Sequence, residues 1–118
     1  MKFYCAGKFE ERKQVRELQE ALKEKGHEIS HDWTACEVSD VGYPAKHAIE
    51  DIWGIANCDC YVGIFIKPLR YEGTLIEMGA ALIKGKKVYV IGRSNTSHFL
   101  GHPNVIRFDS VEEFMESV

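Results

Sequence analysis

The chain of 118 residues is poor in several features that mark specialised classes of protein. It has no run of apolar residues approaching the ~20 that a membrane helix needs, since its longest, around Tyr61–Ile66, has strand length. No excess of basic residues announces nucleic-acid binding, because the net charge is −3. An apolar leader with a small-residue cleavage site is absent from the N-terminus, so no signal peptide is read and a cytoplasmic location is expected. Among the four cysteines, Cys5, Cys36, Cys58 and Cys60, no pair has C-x-x-C spacing. This argues against zinc and thioredoxin-like sites and leaves them as reduced, buried, small hydrophobes. There is no phosphate-binding G-x-x-x-x-G-K-[ST] and no dinucleotide G-x-G-x-x-G. Internal repeats, low-complexity segments and interdomain linkers are also missing, so residues 1–118 read as one domain.

What is present is alternation. Lys2–Ala6 reads as a short buried strand. Phe9–Lys25 reads as a helix, with Val15, Leu18, Ala21 and Leu22 at helical spacing and Gly26 closing it. His27–Trp33 is a second strand, and Thr34–Tyr43 is irregular. Pro44 opens a helix that runs to about Asn57 and is expected to bury Ala48, Ile49, Ile52, Trp53 and Ala56. Asp59–Ile66 is apolar enough for a central strand covered on both faces. Lys67–Gly73 is a loop, Thr74–Lys84 a helix ended by Gly85, Lys86–Ile91 a strand and Gly92–Pro103 a loop. Asn104–Phe108 is a fifth strand, and Ser110 with Glu113 has the spacing of a capping box for a last helix. This order predicts an α/β fold: a flavodoxin-like open, mostly parallel five-stranded sheet with helices on both faces. Ligands of such sheets bind beyond the carboxyl ends of the strands where the winding reverses, here between the first and third strands.

The segments at that point are Tyr4–Lys8 and Lys67–Gly73, followed by Thr74–Gly79. Gly7 permits close backbone approach to a ligand. Tyr4 reads equally well as a core residue or as a hydroxyl reaching that ligand. Glu77 is a candidate nucleophile or base, but Thr74 and Glu77 have T-x-x-E spacing, and spacing alone favours a helix cap. His47 and Asp51 are four apart and share a helical face, with water the simpler neighbour. Asp59 reads as a turn or cap residue. His98 and His102 lack partners for a metal. Lys67, Arg70, Arg93 and Ser94 are loop residues suited to a phosphate, or to solvated surface.

Three segments together resemble the nucleoside 2-deoxyribosyltransferase family, which includes the related 2′-deoxynucleoside 5′-phosphate N-hydrolases. Phe3-Tyr4-Cys5-Ala6-Gly7-Lys8-Phe9 is similar to its opening aromatic-x-A-G motif. Asp51-Ile52-Trp53-Gly54-Ile55, with Asn57–Asp59 behind it, is similar to its D-x-x-x-I segment. Glu72-Gly73-Thr74-Leu75-Ile76-Glu77-Met78-Gly79-Ala80-Ala81 is similar to its G-T-x-x-E-[LIM]-G-x-A signature. The resemblance implies cleavage of the N-glycosidic bond of a (2′-deoxy)nucleoside or its 5′-monophosphate, with transfer to another base or to water through a glycosyl-enzyme, as in retaining glycosidases. It makes Glu77 the nucleophile, Tyr4 its orienting partner and Asp51 the group that handles the leaving base. Gly7, Lys8, Arg70, Tyr71, Glu72 and Gly73 would contact the substrate. The family's transferases carry an aspartate, and its nucleotide hydrolases a serine, where Tyr71 stands. No metal or cofactor is implied; a homodimer or higher homo-oligomer is. Two other readings fit the same residues: a catalytically silent nucleotide-binding module and an NAD glycohydrolase.

Overall fold

The computed structural model describes residues 1–35 and 45–118. Pro44, Cys36 and most of the irregular stretch lie outside the described residues. Five strands, β1 (Lys2–Ala6), β2 (Glu28–Ile29), β3 (Cys60–Ile64), β4 (Lys87–Ile91) and β5 (Val105–Phe108), form one sheet in the order β2-β1-β3-β4-β5. Every pairing is parallel. This is the flavodoxin-like open sheet expected from the alternation. Its first crossover leaves β1 toward β2 and the next returns across β1 to β3, so the winding reverses between β1 and β3.

Helices α1 (Arg12–Glu24) and α4 (Val111–Ser117) cover one face; α2 (Ala45–Ala56) and α3 (Glu72–Ile83) cover the other. α1 turns Val15, Leu18 and Leu22 inward against Phe3, Cys5 and Val62. Each such buried side chain contributes about 1.5–3 kcal/mol. A 3₁₀ turn at Phe9–Glu11 precedes α1, so the α-helix proper starts later than its apolar spacing suggested. At the C-terminal ends of α1 and α3, Gly26 and Gly85 take φ of +91° and +70°, a region costly for residues with a Cβ. Ser110 Oγ accepts from the Glu113 N–H (3.1 Å), while the Glu113 carboxylate takes the N–H of Asp109 (3.0 Å) rather than that of Ser110. Asp59 accepts the N–H of Lys2 (2.8 Å), tying the start of β1 to the start of β3.

Three expectations are corrected. The second strand is two residues long rather than seven; Ser30, His31 and Trp33 leave the sheet edge to make side-chain contacts. The apolar residues of α2 do not face the core: Ala48, Ile49, Ile52 and Trp53 are exposed, and Gly54 and Ile55 are buried. The physical reason is Gly54. A Cβ there would lie 2.7 Å from the Cβ of His31 and 2.9 Å from Cδ2 of Tyr4, so the helix rests its bare backbone on those side chains and its apolar flank turns outward. α3 begins two residues early, at Glu72, with Tyr71 in the N-cap position and no side-chain cap. Thr74 is therefore buried within the first turn, Glu77 falls in the second, and the capping box between them does not form.

Candidate active site

Tyr4 sits on the α2–α3 side of β1, fully buried, with its ring stacked on that of Tyr61 (centroids 6.3 Å, 19° between planes). The Tyr61 hydroxyl donates to the carbonyl of Thr74 (2.8 Å), which fixes α3 against the central strand one turn before Glu77. That anchorage brings the Glu77 carboxylate onto the Tyr4 hydroxyl, which donates to Glu77 Oε2. The partner that replaces the expected cap is thus a phenol 73 residues away in sequence.

Burial pushes the Glu77 carboxyl up to about 7; Asp51 nearby adds to the rise, and the hydrogen bond from Tyr4 opposes it. Asp51, on the inner flank of α2, is also raised, first by burial, against the lowering influence of His31, His47 and Tyr4. The Tyr4 phenol is raised far above its ordinary value by burial and by the two carboxyls, so it stays a proton donor at every physiological pH. Asp51 discourages Glu77 from ionising, and both carboxyls discourage Tyr4, whose hydrogen bond in turn favours the ionised form of Glu77.

Sequence reasoning missed two residues. His31 places Nε2 3.5 Å from Asp51 Oδ1 and 3.8 Å from Glu50 Oε2, so its imidazole backs the Asp51 carboxyl. Ser30 Oγ donates to the carbonyl of Gly54 (2.7 Å) and Trp33 Nε1 to the carbonyl of Cys5 (2.7 Å), and these bonds set His31 between β1 and α2. No pattern in His27–Trp33 announces this, because the contact depends on the chain leaving the strand. Glu11 is the second: it is buried, one of its oxygens has no partner, and it hydrogen-bonds the Tyr71 hydroxyl.

A cleft of about 530 Å³ opens above Glu77, within the range of small-molecule sites. Gly7, Lys8, Phe9 and Glu10 line one side. Arg70, Tyr71, Glu72, Gly73 and Thr74 line the other. All six residues expected to contact substrate therefore border one cavity with Glu77 in its lining; Tyr4 and Asp51 are not among the lining residues, and Tyr4 meets the cleft through its bond to Glu77. The free N–H groups of the first turn of α3 belong to Glu72, Gly73 and Thr74, all cleft residues. Arg70 pairs with Glu72 (2.6 Å) at the rim.

The expected phosphate contacts are partly corrected. Lys67, Arg93 and Ser94 are not in the lining of the cleft. Arg93 pairs with Asp109 (2.6 Å), and the Ser94 hydroxyl donates to the carbonyl of Phe65. Tyr71 does not hang free in the cavity: it is buried against Phe65 (centroids 5.0 Å), its oxygen accepts the N–H of Lys67 (3.3 Å), and burial with the Glu11 bond pushes its phenol up to about 12. His98 lies against Phe99, and His102 accepts the N–H of Asn104 (3.0 Å). Among the described residues no group of three or more His, Cys, Asp or Glu could hold a metal ion, and no helix is long and apolar enough to cross a membrane.

This architecture recurs among solved structures. A CMP N-glycosidase from Clostridium botulinum superposes with a TM-score of 0.71 over 99% of this chain and 97% of its own, at 24% identity. A 2-deoxyribosyltransferase from Bacillus psychrosaccharolyticus gives 0.75 over 98% and 90%, at 22% identity. A conserved protein from Enterococcus faecalis gives 0.65 over 98% and 95%, at 17% identity. The chain has their fold. No family model and no curated protein matches the sequence. The agreement covers nearly the whole of each chain, so the shared feature is the fold.

Proposed function

We propose that this chain cleaves the N-glycosidic bond of a nucleoside or nucleoside 5′-monophosphate, with Glu77 as the nucleophile, and that it is a divergent member of the nucleoside 2-deoxyribosyltransferase family. The observation that carries the reading is the hydrogen bond from the buried Tyr4 hydroxyl to Glu77 beside the cleft. A carboxylate aligned by a phenol that does not ionise is suited to attack at an electron-poor anomeric carbon. Two of the structures with this fold are described as a CMP N-glycosidase and a 2-deoxyribosyltransferase, which supports the same bond as the target.

In the proposed reaction Glu77 acts as its anion. Its oxygen forms a bond to the anomeric carbon as the carbon–nitrogen bond to the base breaks, through an oxocarbenium-like transition state. Asp51, held protonated more readily than an exposed aspartate, gives its proton to the departing base. Water then attacks the anomeric carbon, Asp51 recovers a proton from it, and Glu77 is released; an incoming base in place of water gives transfer. Lys8 and the first N–H groups of α3 suit a 5′-phosphate, and Arg70 would exchange its Glu72 partner for it, which supports a 5′-monophosphate substrate.

The test is incubation of the purified chain with CMP, dCMP, dGMP, dTMP, deoxyinosine and NAD, with and without adenine, read by chromatography. Free base from a monophosphate is expected. An adenine nucleotide from a monophosphate, or an adenine nucleoside from deoxyinosine, on adding adenine assigns transfer; nicotinamide from NAD alone assigns the glycohydrolase reading. A second reading rests on Tyr71, whose hydroxyl is committed to Lys67 and Glu11: a nucleotide-binding module without turnover. Calorimetric binding of CMP with no base released would support it.

A further inference from the structure

Tyr61 and Gly63 stand two apart on β3, so both belong to the face that α2 and α3 cover. Tyr4 pairs with Tyr61 in register on the neighbouring strand β1, which sets the two rings side by side. Both are fully buried. A tyrosine in a dry core needs a partner for its hydroxyl, and β3, paired along both edges, keeps its backbone groups for the sheet. The Tyr61 ring therefore leans along the strand. A Cβ built on Gly63 would fall 2.8 Å from Tyr61 Oη and 3.0 Å from its Cε1, so the far end of the ring takes the space that any larger residue at 63 would fill. Phe65 Cε2 lies 2.9 Å from the same point and closes the slot. Seated there, the hydroxyl reaches the carbonyl of Thr74 at 2.8 Å.

Thr74 precedes Glu77 by about one helical turn, so the two share a face of α3. Tyr61 thus touches both halves of the Tyr4–Glu77 pair. Its ring stacks on the donor, and its hydroxyl holds the helix that carries the acceptor. The titratable groups that face Glu77 are Tyr4 from β1, Asp51 from α2 and Tyr61 from β3, while His31, His47 and Glu50 act on Asp51. Among the described residues Tyr4 is the group that favours the ionised carboxyl, and burial and Asp51 oppose it. The contact between Tyr4 and Glu77 therefore governs how readily Glu77 gives up its proton.

We propose that Tyr61, seated over Gly63, is a positioning residue for Glu77: by fixing α3 through the Thr74 carbonyl it sets the contact between the Tyr4 hydroxyl and the Glu77 carboxylate. It does so from behind the site, since neither Tyr61 nor Gly63 lines the cleft. The inference rests on the reading of Glu77 as the acting group. Without the Tyr61 hydroxyl the first turn of α3 loses its tie to the central strand. Glu77 then draws back from Tyr4, and the carboxylate loses the bond that favours it. Gly63 is part of the device because a methyl group there would occupy the place of the hydroxyl.

The test follows the Glu77 carboxyl carbon by carbon-13 magnetic resonance in the intact chain, assigned by its absence from Glu77→Gln, so it needs no turnover. In the natural chain the midpoint is expected near about 7. Tyr61→Phe keeps the ring and removes the hydroxyl; it and Gly63→Ala are each expected to move the midpoint upward, as Tyr4→Phe does. In a Tyr4→Phe background, Tyr61→Phe is expected to add no further shift, because the bond it positions is already gone. Gly79→Ala puts a methyl group into open space on the same helix and is expected to leave the midpoint in place. In base release, Tyr61→Phe is expected to lower kcat about 10-fold or more with KM within about 2-fold, since Tyr61 places the reacting group and not the ligand. A Tyr61→Phe chain that melts earlier but keeps the natural midpoint overturns the proposal and leaves Tyr61 a core residue. Shifts that add in full in the double variant overturn the route through Tyr4. A chain that releases no base refutes the cleavage reading instead, and the titration still decides the role of Tyr61.

Discussion

Replacing Glu77 by glutamine is expected to stabilise the protein at neutral pH, by an amount that grows as the pH rises. Burial holds the folded carboxyl near 7, against 4.5 for an ordinary glutamate in the unfolded chain. Below 4.5 both states carry the proton and Glu77 costs nothing. Between 4.5 and about 7 the folded state keeps the proton and the unfolded state has lost it. The folded state then binds more protons, so stability falls as pH rises. Above about 7 the loss is complete. The gap between the two values corresponds to about 3 kcal/mol. Glutamine has the same shape and accepts the Tyr4 hydroxyl through its carbonyl, but has no proton to lose. Asp51 titrates in both proteins, so its contribution largely cancels in the difference. The assay is urea unfolding of both proteins from pH 4.5 to 8. With a denaturant slope of about 1.5 kcal/mol per molar for a chain of this size, the variant's midpoint should move ahead by about 2 M across the range. Parallel stability curves would refute the argument, because they would mean that burial does not set the Glu77 equilibrium.

Other predictions use the same contacts. Tyr4→Phe removes the one bond that favours ionised Glu77, so the acid limb of the pH–rate profile should move above about 7 and base release should fall roughly 10–100-fold, the worth of a hydrogen bond to a charged group. An unshifted limb would count against Tyr4 as the partner of the nucleophile. Gly54→Ala forces a methyl group to within 2.7 Å of His31 and 2.9 Å of Tyr4. It should cost about 1–3 kcal/mol, seen in calorimetry as a melting point lower by about 4–12 °C. Gly73→Ala, with nothing within 4 Å of its new methyl, is the control and should melt no earlier than the natural chain.

The sheet was legible because its strands are buried on both faces. Cys60–Ile64 is apolar throughout, and helices on either side leave nowhere for a polar alternation to appear. The alternation called for a parallel sheet with helices on both faces, and a flavodoxin-like order, which the structure has, placed the switch point between β1 and β3. What periodicity could not supply was the orientation of α2. Its apolar residues outnumber those it buries, and the face turned to the sheet was chosen by one glycine and by carboxyl groups that seek Tyr4 and His31. The start of α3 was misread for a related reason. Thr74 and Glu77 have a spacing that is usually satisfied locally, and only a residue distant in sequence shows that Glu77 is engaged elsewhere. His31 and Glu11 carried no signal at all, since their roles arise where a loop crosses a helix and where a 3₁₀ turn passes under Tyr71.

The central claim is that Glu77 breaks an N-glycosidic bond. It is tested most directly by measuring free base released from nucleoside monophosphates by the natural chain and by Glu77→Gln under the same conditions. The account predicts base from the natural chain and a loss of at least about 1,000-fold in the variant, with a circular dichroism spectrum unchanged. Equal release by the two proteins, or no base from any nucleotide or nucleoside offered to the natural chain, would contradict it.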